Sequence, residues 1–294
     1  MLKRIFLFLA TNILIVTTIS ILLNVLGVRP YLTSSGIDYE ALLAFCLVWG
    51  FAGSFISLAI SRIMAKWMMG VKVITPSSHP ELAWLHTMVE RIAQTSGLPT
   101  PEVGVYDSPE INAFATGPTK SRALVAFSSG IIQSMDRTEL EGVAAHEVAH
   151  IRNGDMVTMT LLQGVVNSFV MFLARVIGFA ASQAVKEEQA ALVRMLVTIV
   201  LDILLSILGS MVVMAFSRKR EFHADAGAAK LVGREKMIRA LEFLKRTQEY
   251  AQVGEPHASL ATMKISGKRM GALALFSSHP ALEDRIEALK NFRE

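Results

Sequence analysis

Two histidines four residues apart, with a glutamate directly after the first, stand in the stretch Ala144–Asp155, A-A-H-E-V-A-H-I-R-N-G-D. On a helix, residues four apart share a face, so His146 and His150 can both reach one metal ion. Zinc bonds imidazole nitrogen at about 2.0–2.1 Å and lowers the pKa of a bound water to roughly 7. Glu147 would then take that water's proton as it attacks a peptide carbonyl. A catalytic zinc takes three protein ligands and keeps one position open. A metzincin third ligand is excluded, because it requires glycine at position 153 and histidine at 156, where the chain has Asn153 and Met156. The remaining cluster is R-K-R-E-F-H-A-D, Arg218 to Asp225. If it is helical, Glu221 and Asp225 share a face: Glu221 could bind zinc and Asp225 could orient His146 through its other ring nitrogen, with His223 directed elsewhere. Arg220, Glu221 and Asp225 could equally form a solvated charge cluster at a membrane boundary.

The elements that carry these residues sit in an apolar chain. With 52% hydrophobic and 18% charged residues and a mean hydropathy of +0.44, an ordinary soluble domain is excluded. Four stretches are long enough to cross a bilayer, 5–28, 41–61, 156–176 and 191–217, the last broken only by Arg194 and Asp202. The first has Lys3 and Arg4 before it but is too long for a cleaved signal peptide, and is read as a retained anchor. Lys3, Arg4, Arg62, Lys66, Lys72, Arg152, Arg218, Lys219 and Arg220 flank the ends expected on the cytoplasmic side. Arg29, Arg175, Lys186 and Arg194 fall on the opposite side. Asp202, well inside its span, is read as structural, with Gln163 and Asn167 of the third span or Arg194 as candidate partners, against a polar path for substrate entry. The net charge of +4 fits juxtamembrane basic residues. No basic stripe or aromatic motif points to nucleic acid, and no nucleotide partner is expected. The lone Cys46 permits no disulfide within the chain.

Two polar pieces, 72–155 and 218–294, remain and would form one domain interrupted by a transmembrane hairpin. In the first, Ser78-His79-Pro80-Glu81 predicts a helix start with serine as cap, and Leu82, Leu85, Met88, Val89 and Ile92 continue it to Gly97-Leu98-Pro99. Residues 102–106 and 122–127 are strand candidates. Thr138 and Glu141, in capping-box spacing, open the helix that carries His146 and His150 and ends at Asn153-Gly154.

His146-Glu147-x-x-His150 followed by Asn153-Gly154-Asp155, Glu221-Phe222-His223-Ala224-Asp225 after an apolar hairpin, Asn112-Ala113-Phe114-Ala115 upstream and His279-Pro280 near the end resemble the HtpX family of bacterial membrane zinc metalloproteases, relatives of the CAAX prenyl proteases. The resemblance spans essentially the whole chain. It implies a mainly α fold with a small β-sheet: four transmembrane helices plus a cytoplasmic zincin-like (gluzincin) metalloprotease domain. It makes Glu221 the third ligand of one Zn²⁺ per chain and Asp225 the residue that orients a ligand. It also implies endoproteolysis of membrane and misfolded proteins in stress-linked quality control, in a multi-pass protein of the bacterial inner membrane with both termini cytoplasmic. Asn112 to Ala115 would lie along the cleft as an edge strand for an extended substrate. His279, with Arg285, is a candidate for stabilising the tetrahedral intermediate. Two alternatives stand beside this reading. One is a membrane scaffold whose zinc is structural; the other is a processing protease for prenylated tails, which four spans disfavour.

Overall fold

The computed structural model describes residues 17–26, 30–33, 36–253 and 279–292. Residues 17–25 are helical, and the rest of the expected span 5–28 lies mainly outside the described residues. A short hairpin, β1 (Leu32–Thr33) with β2 (Gly36–Ile37), leads into α1 (Tyr39–Met68). Then follow β3 (Lys72–Val73), α2 (Ala83–Thr95), β4 (Glu102–Tyr106), β5 (Ala113–Thr116), β6 (Leu124–Ser128), α3 (Ser129–Ser134) and α4 (Arg137–Asn153). The chain closes with α5 (Asp155–Ser182), α6 (Glu187–Val232), α7 (Arg234–Val253) and α8 (Leu282–Lys290). Among the described residues, α1, α5 and α6 are long and apolar enough to cross a membrane. The chain divides into two compact units, Met1–Leu58 with Thr158–Val213, and Ala59–Val157 with Met214–Glu294.

In the first unit, small residues let helices approach closely, as in membrane bundles. A Cβ on Gly50 of α1 would collide with Ser168 of α5, and one on Gly178 of α5 with Thr198 of α6. Asp202 does not use the expected partners. Gln163 donates to Asn167 at 2.8 Å, and the cation facing Asp202 is Arg175, at 3.7 Å. Arg175, at the end of the expected span 156–176, lies well inside α5, which runs on to Ser182.

The second unit is a four-stranded sheet, β3-β4-β6-β5, with helices packed on it. β4 and β6 are parallel, and β3 and β5 pair antiparallel at the two edges. All five residues of β6 are buried, and they alternate between two cores. Val125 and Phe127 face a large core shared with α2, α4, α7 and α8, while Leu124 and Ala126 face Val71 and Tyr106. Several sequence-based boundaries shift. The strand expected over 122–127 is Leu124–Ser128, because Lys120–Arg122 forms a 3-10 turn. Ser78 caps nothing; its hydroxyl pairs with Thr75 at 2.9 Å, and a 3-10 turn at Pro80–Leu82 precedes α2.

Candidate metal centre

The cap of helix α4 lies two residues before the expected Thr138. Asp136 is its cap, accepting from the N–H groups of Thr138 and Glu139, while Glu139 accepts from the N–H of Asp136. Its end depends on Gly154, whose φ of 70° supplies the left-handed turn that lets α5 begin at the next residue, Asp155. Helices α4, α6 and α7 pack through small residues. A Cβ on Gly142 would lie 2.6 Å from the carbonyl of Lys236, and one on Gly227 3.0 Å from Ala149. This close approach brings α6 near enough for short side chains to converge on α4.

The fourth expected span and the helix bearing Glu221 and Asp225 are one element, the 46-residue α6. Glu221 is fully buried, as is Asp225 at 1% exposure, so the solvated charge cluster does not describe them. The two imidazole Nε2 atoms lie 3.1 Å apart. Each is 3.4 Å from a Glu221 oxygen, His146 from Oε2 and His150 from Oε1. Four tetrahedral bonds of 2.0–2.1 Å place donors about 3.3 Å from one another. The three side chains therefore bring together the donor set of a metal site, one ligand atom from each lying within 4.8 Å of the others among the described residues, at separations near those a tetrahedral site requires. Glu221 Oε1 is buried without a hydrogen-bond donor among the described residues, as a metal-ligating oxygen would be.

Each histidine turns its other nitrogen to a carboxylate. His146 Nδ1 is 2.9 Å from Asp225 Oδ1, and Arg285 holds Asp225 in a two-pronged contact, donating from Nε at 2.7 Å and from Nη2 at 2.6 Å. His150 Nδ1 is 2.6 Å from Asp155 Oδ2, and Arg220 faces Asp155 at 3.9 Å and Glu221 at 3.6 Å. Asp155 closes the Asn153-Gly154-Asp155 motif. Its function follows from the turn at Gly154, which a helical pattern does not encode.

Burial pushes the metal-free His146 towards the neutral form, but Asp225 and Glu221 outweigh it and raise its pKa to about 9. Burial likewise disfavours the Glu221 carboxylate, yet His146, His150 and His279 hold it well below the ordinary range. Asp225 is also held low against its burial, by Arg285 first.

The other sequence candidates are placed as follows. Glu147, on the turn of His146, makes no side-chain hydrogen bond among the described residues. His279 has an exposed side chain with Nδ1 2.9 Å from Glu221 Oε2. Arg285 is 5% exposed, buried rather than at the helix surface. Asn112 precedes β5, whose residues Ala113, Phe114 and Ala115 pair with β6. Ala113 and Ala115 pack on the core that includes α4. His223 bonds its own helix at the carbonyl of Lys219 and lies away from the metal cluster.

Comparison with known proteins gives matches at the level of family, sequence and fold. Residues 80–293 match peptidase family M48. The chain is 54% identical over 299 residues to a protein named "Protease HtpX homolog" from Bacillus subtilis (strain 168), covering 99% of each. It is 51% identical over 292 residues to "Protease HtpX" from Thioalkalivibrio sulfidiphilus (strain HL-EbGR7), covering 98% of each. Its fold is similar to that in the crystal structure of S. mikatae Ste24p, with a TM-score of 0.67 at 18% identity. That match covers 99% of this chain and 65% of the Ste24p chain.

Proposed function

The chain belongs to peptidase family M48, and from that premise we propose that it is an integral-membrane zinc endopeptidase that cleaves membrane and misfolded proteins. Family membership makes it a metalloprotease, and its long apolar helices make it a membrane protein. The observation that carries the finer reading is the convergence of His146, His150 and Glu221, with ligand atoms within 4.8 Å of one another and Glu147 next to the first ligand on α4. His146, His150 and Glu221 would hold one Zn²⁺ per chain. When bound, zinc supplies a Lewis acid and a water of lowered pKa.

The chain's own residues supply the rest. Glu147 accepts the attacking water's proton and returns it to the departing amine. His279 reaches Glu221 from the solvent-exposed side, which suits a donor to the oxygen that gains charge at the scissile carbonyl. Arg285 commits Nε and Nη2 to Asp225 and so positions His146, while its Nη1, 3.6 Å from Glu221 Oε2, remains a candidate donor to the oxyanion beside His279. β5 is paired to β6 on one side and, among the described residues, ends the sheet on the other. An extended polypeptide adding to that open edge would run beside α4, and Ala113→Pro should then weaken cleavage of a folded substrate.

Glu221 follows the apolar part of α6 within a few residues, and His150 precedes that of α5. This spacing, with Arg218, Lys219 and Arg220 beside it, supports a site at the cytoplasmic face of a bacterial inner membrane, serving stress-linked quality control. No nucleic-acid or nucleotide partner belongs to this reading. The likeness to Ste24p concerns the fold and brings no prenylated substrate with it.

The test is cleavage of an unfolded protein by the zinc-loaded wild type and by Glu147→Gln and His279→Ala, with bound zinc measured in each. Glu147→Gln should lose roughly 10²–10⁴-fold in rate at unchanged zinc, and His279→Ala should lose turnover with zinc retained. Equal cleavage by wild type and Glu147→Gln would make the metal structural and return the scaffold reading.

A further inference from the structure

We infer that Arg220 is a positioning residue for His150, acting through Asp155, as Arg285 acts on His146 through Asp225. The inference rests on the proposed ligand set and deepens it. A basic residue just beyond an apolar helix ordinarily keeps its guanidinium in water or among headgroups. Arg220 does not: its side chain is 22% exposed, and its Nε is buried with no hydrogen-bond partner among the described residues. It lies between two carboxylates carried by different helices, Asp155 Oδ2 at 3.9 Å and Glu221 Oε1 at 3.6 Å.

The shared atom gives the arrangement its meaning. Asp155 Oδ2 is the oxygen that meets His150 Nδ1 at 2.6 Å, and Asp155 is only 7% exposed. A histidine that binds metal through Nε2 must donate its Nδ1 proton outward, and the acceptor fixes the ring's direction. A buried carboxylate needs a compensating cation, and Arg220 is the Lys or Arg within 4 Å of Asp155 among the described residues. Without it, Asp155 turns to solvent and His150 loses its orientation. Both Arg220 contacts are longer than hydrogen bonds, so Arg220 acts as a charge, not as a geometric fork. Lysine should therefore replace it, whereas lysine at position 285 cannot reproduce the two-pronged contact to Asp225.

The experiment measures zinc affinity and chelator-driven zinc release for the full chain in detergent. Arg220→Ala should bind about tenfold more weakly and release zinc faster, and Arg220→Lys should restore binding. Arg285→Lys should not restore what Arg285→Ala loses. Asp155→Asn should lose as much as Arg220→Ala, and the double variant no more than Asp155→Asn alone. A merely structural role would lower the melting temperature of the zinc-free protein without moving affinity. Arg220→Gln, which keeps most of the side-chain packing, repeats the affinity test should the alanine variant not fold. Wild-type affinity in Arg220→Gln or Arg220→Ala, no rescue by lysine, or losses that multiply in the double variant would overturn the inference. Zinc bound normally by Glu221→Gln and His150→Ala would overturn the ligand set as well. Zinc lost by those two but held normally by Arg220→Ala would overturn the role of Arg220 alone.

Discussion

The two sides of the metal centre are built on the same plan but held with different firmness. On the His146 side, Asp225 and Arg285 are 1% and 5% exposed and joined by two bonds of 2.6–2.7 Å. On the His150 side, Asp155 lies at a helix start and Arg220 faces it at 3.9 Å. The first side joins three helices, α4, α6 and α8, through a contact buried in protein. The second joins α4, the first residue of α5 and α6 through a longer charge contact. A buried two-pronged ion pair fixes direction as well as charge; a loose charge contact fixes charge alone. The His146 side thus reads as the rigid half of the site, and the His150 side as the half whose geometry is completed by the metal.

The largest effect should come from the residue both sides share. Glu221→Gln removes the carboxylate that meets both imidazoles, and zinc affinity should fall by more than the roughly 10–100-fold expected for an outer partner. Comparable zinc content in that variant, by equilibrium dialysis, would break the comparison at its centre. Next come the two outer carboxylates. Asp225→Asn leaves Arg285 buried beside a neutral amide, so the fold should lose roughly 3–5 kcal/mol in addition to the loss of zinc affinity. Asp155→Asn leaves the more exposed Arg220 and should weaken zinc with a smaller loss of stability. Denaturant unfolding of both variants, zinc-free, measures the contrast, and equal losses would remove the distinction between the two sides.

The smallest effect is in the pH dependence of the zinc-free protein. His146 is raised from 6.5 to about 9 in the folded chain. A raised pKa contributes stability that is full below 6.5 and is lost as pH rises through about 9. The denaturation midpoint should therefore fall between pH 6.5 and about 9, less so in Asp225→Asn, where one of the carboxylates holding that proton is gone. A flat profile in the wild type would count against the assignment of Asp225 to His146.

The parts of this site that were legible in the sequence are those whose meaning is local. His146, Glu147 and His150 declare themselves because a four-residue spacing has one consequence on a helix. Glu221 and Asp225 share that spacing, but whether they face solvent or metal depends on how closely α6 packs on α4, and the resemblance rather than the spacing decided it. Asp155 escaped notice because its approach to His150 requires a left-handed turn at Gly154. Arg220 sat in a run of basic residues that reads naturally as a membrane flank. Boundaries shifted where two signals competed: Asp136 with Glu139 forms the capping box that Thr138 with Glu141 also spells. Asp202 faces Arg175, at the end of the expected third span, rather than Gln163, Asn167 or Arg194.

The central claim is that one metal ion is bound by two imidazoles and the Glu221 carboxylate. Zinc-edge X-ray absorption of the loaded protein measures this directly. The account expects two imidazole nitrogens and light oxygen neighbours at about 2.0–2.1 Å, with one imidazole lost in His150→Ala. A spectrum without imidazole scattering, or one that His150→Ala leaves unchanged, would contradict it.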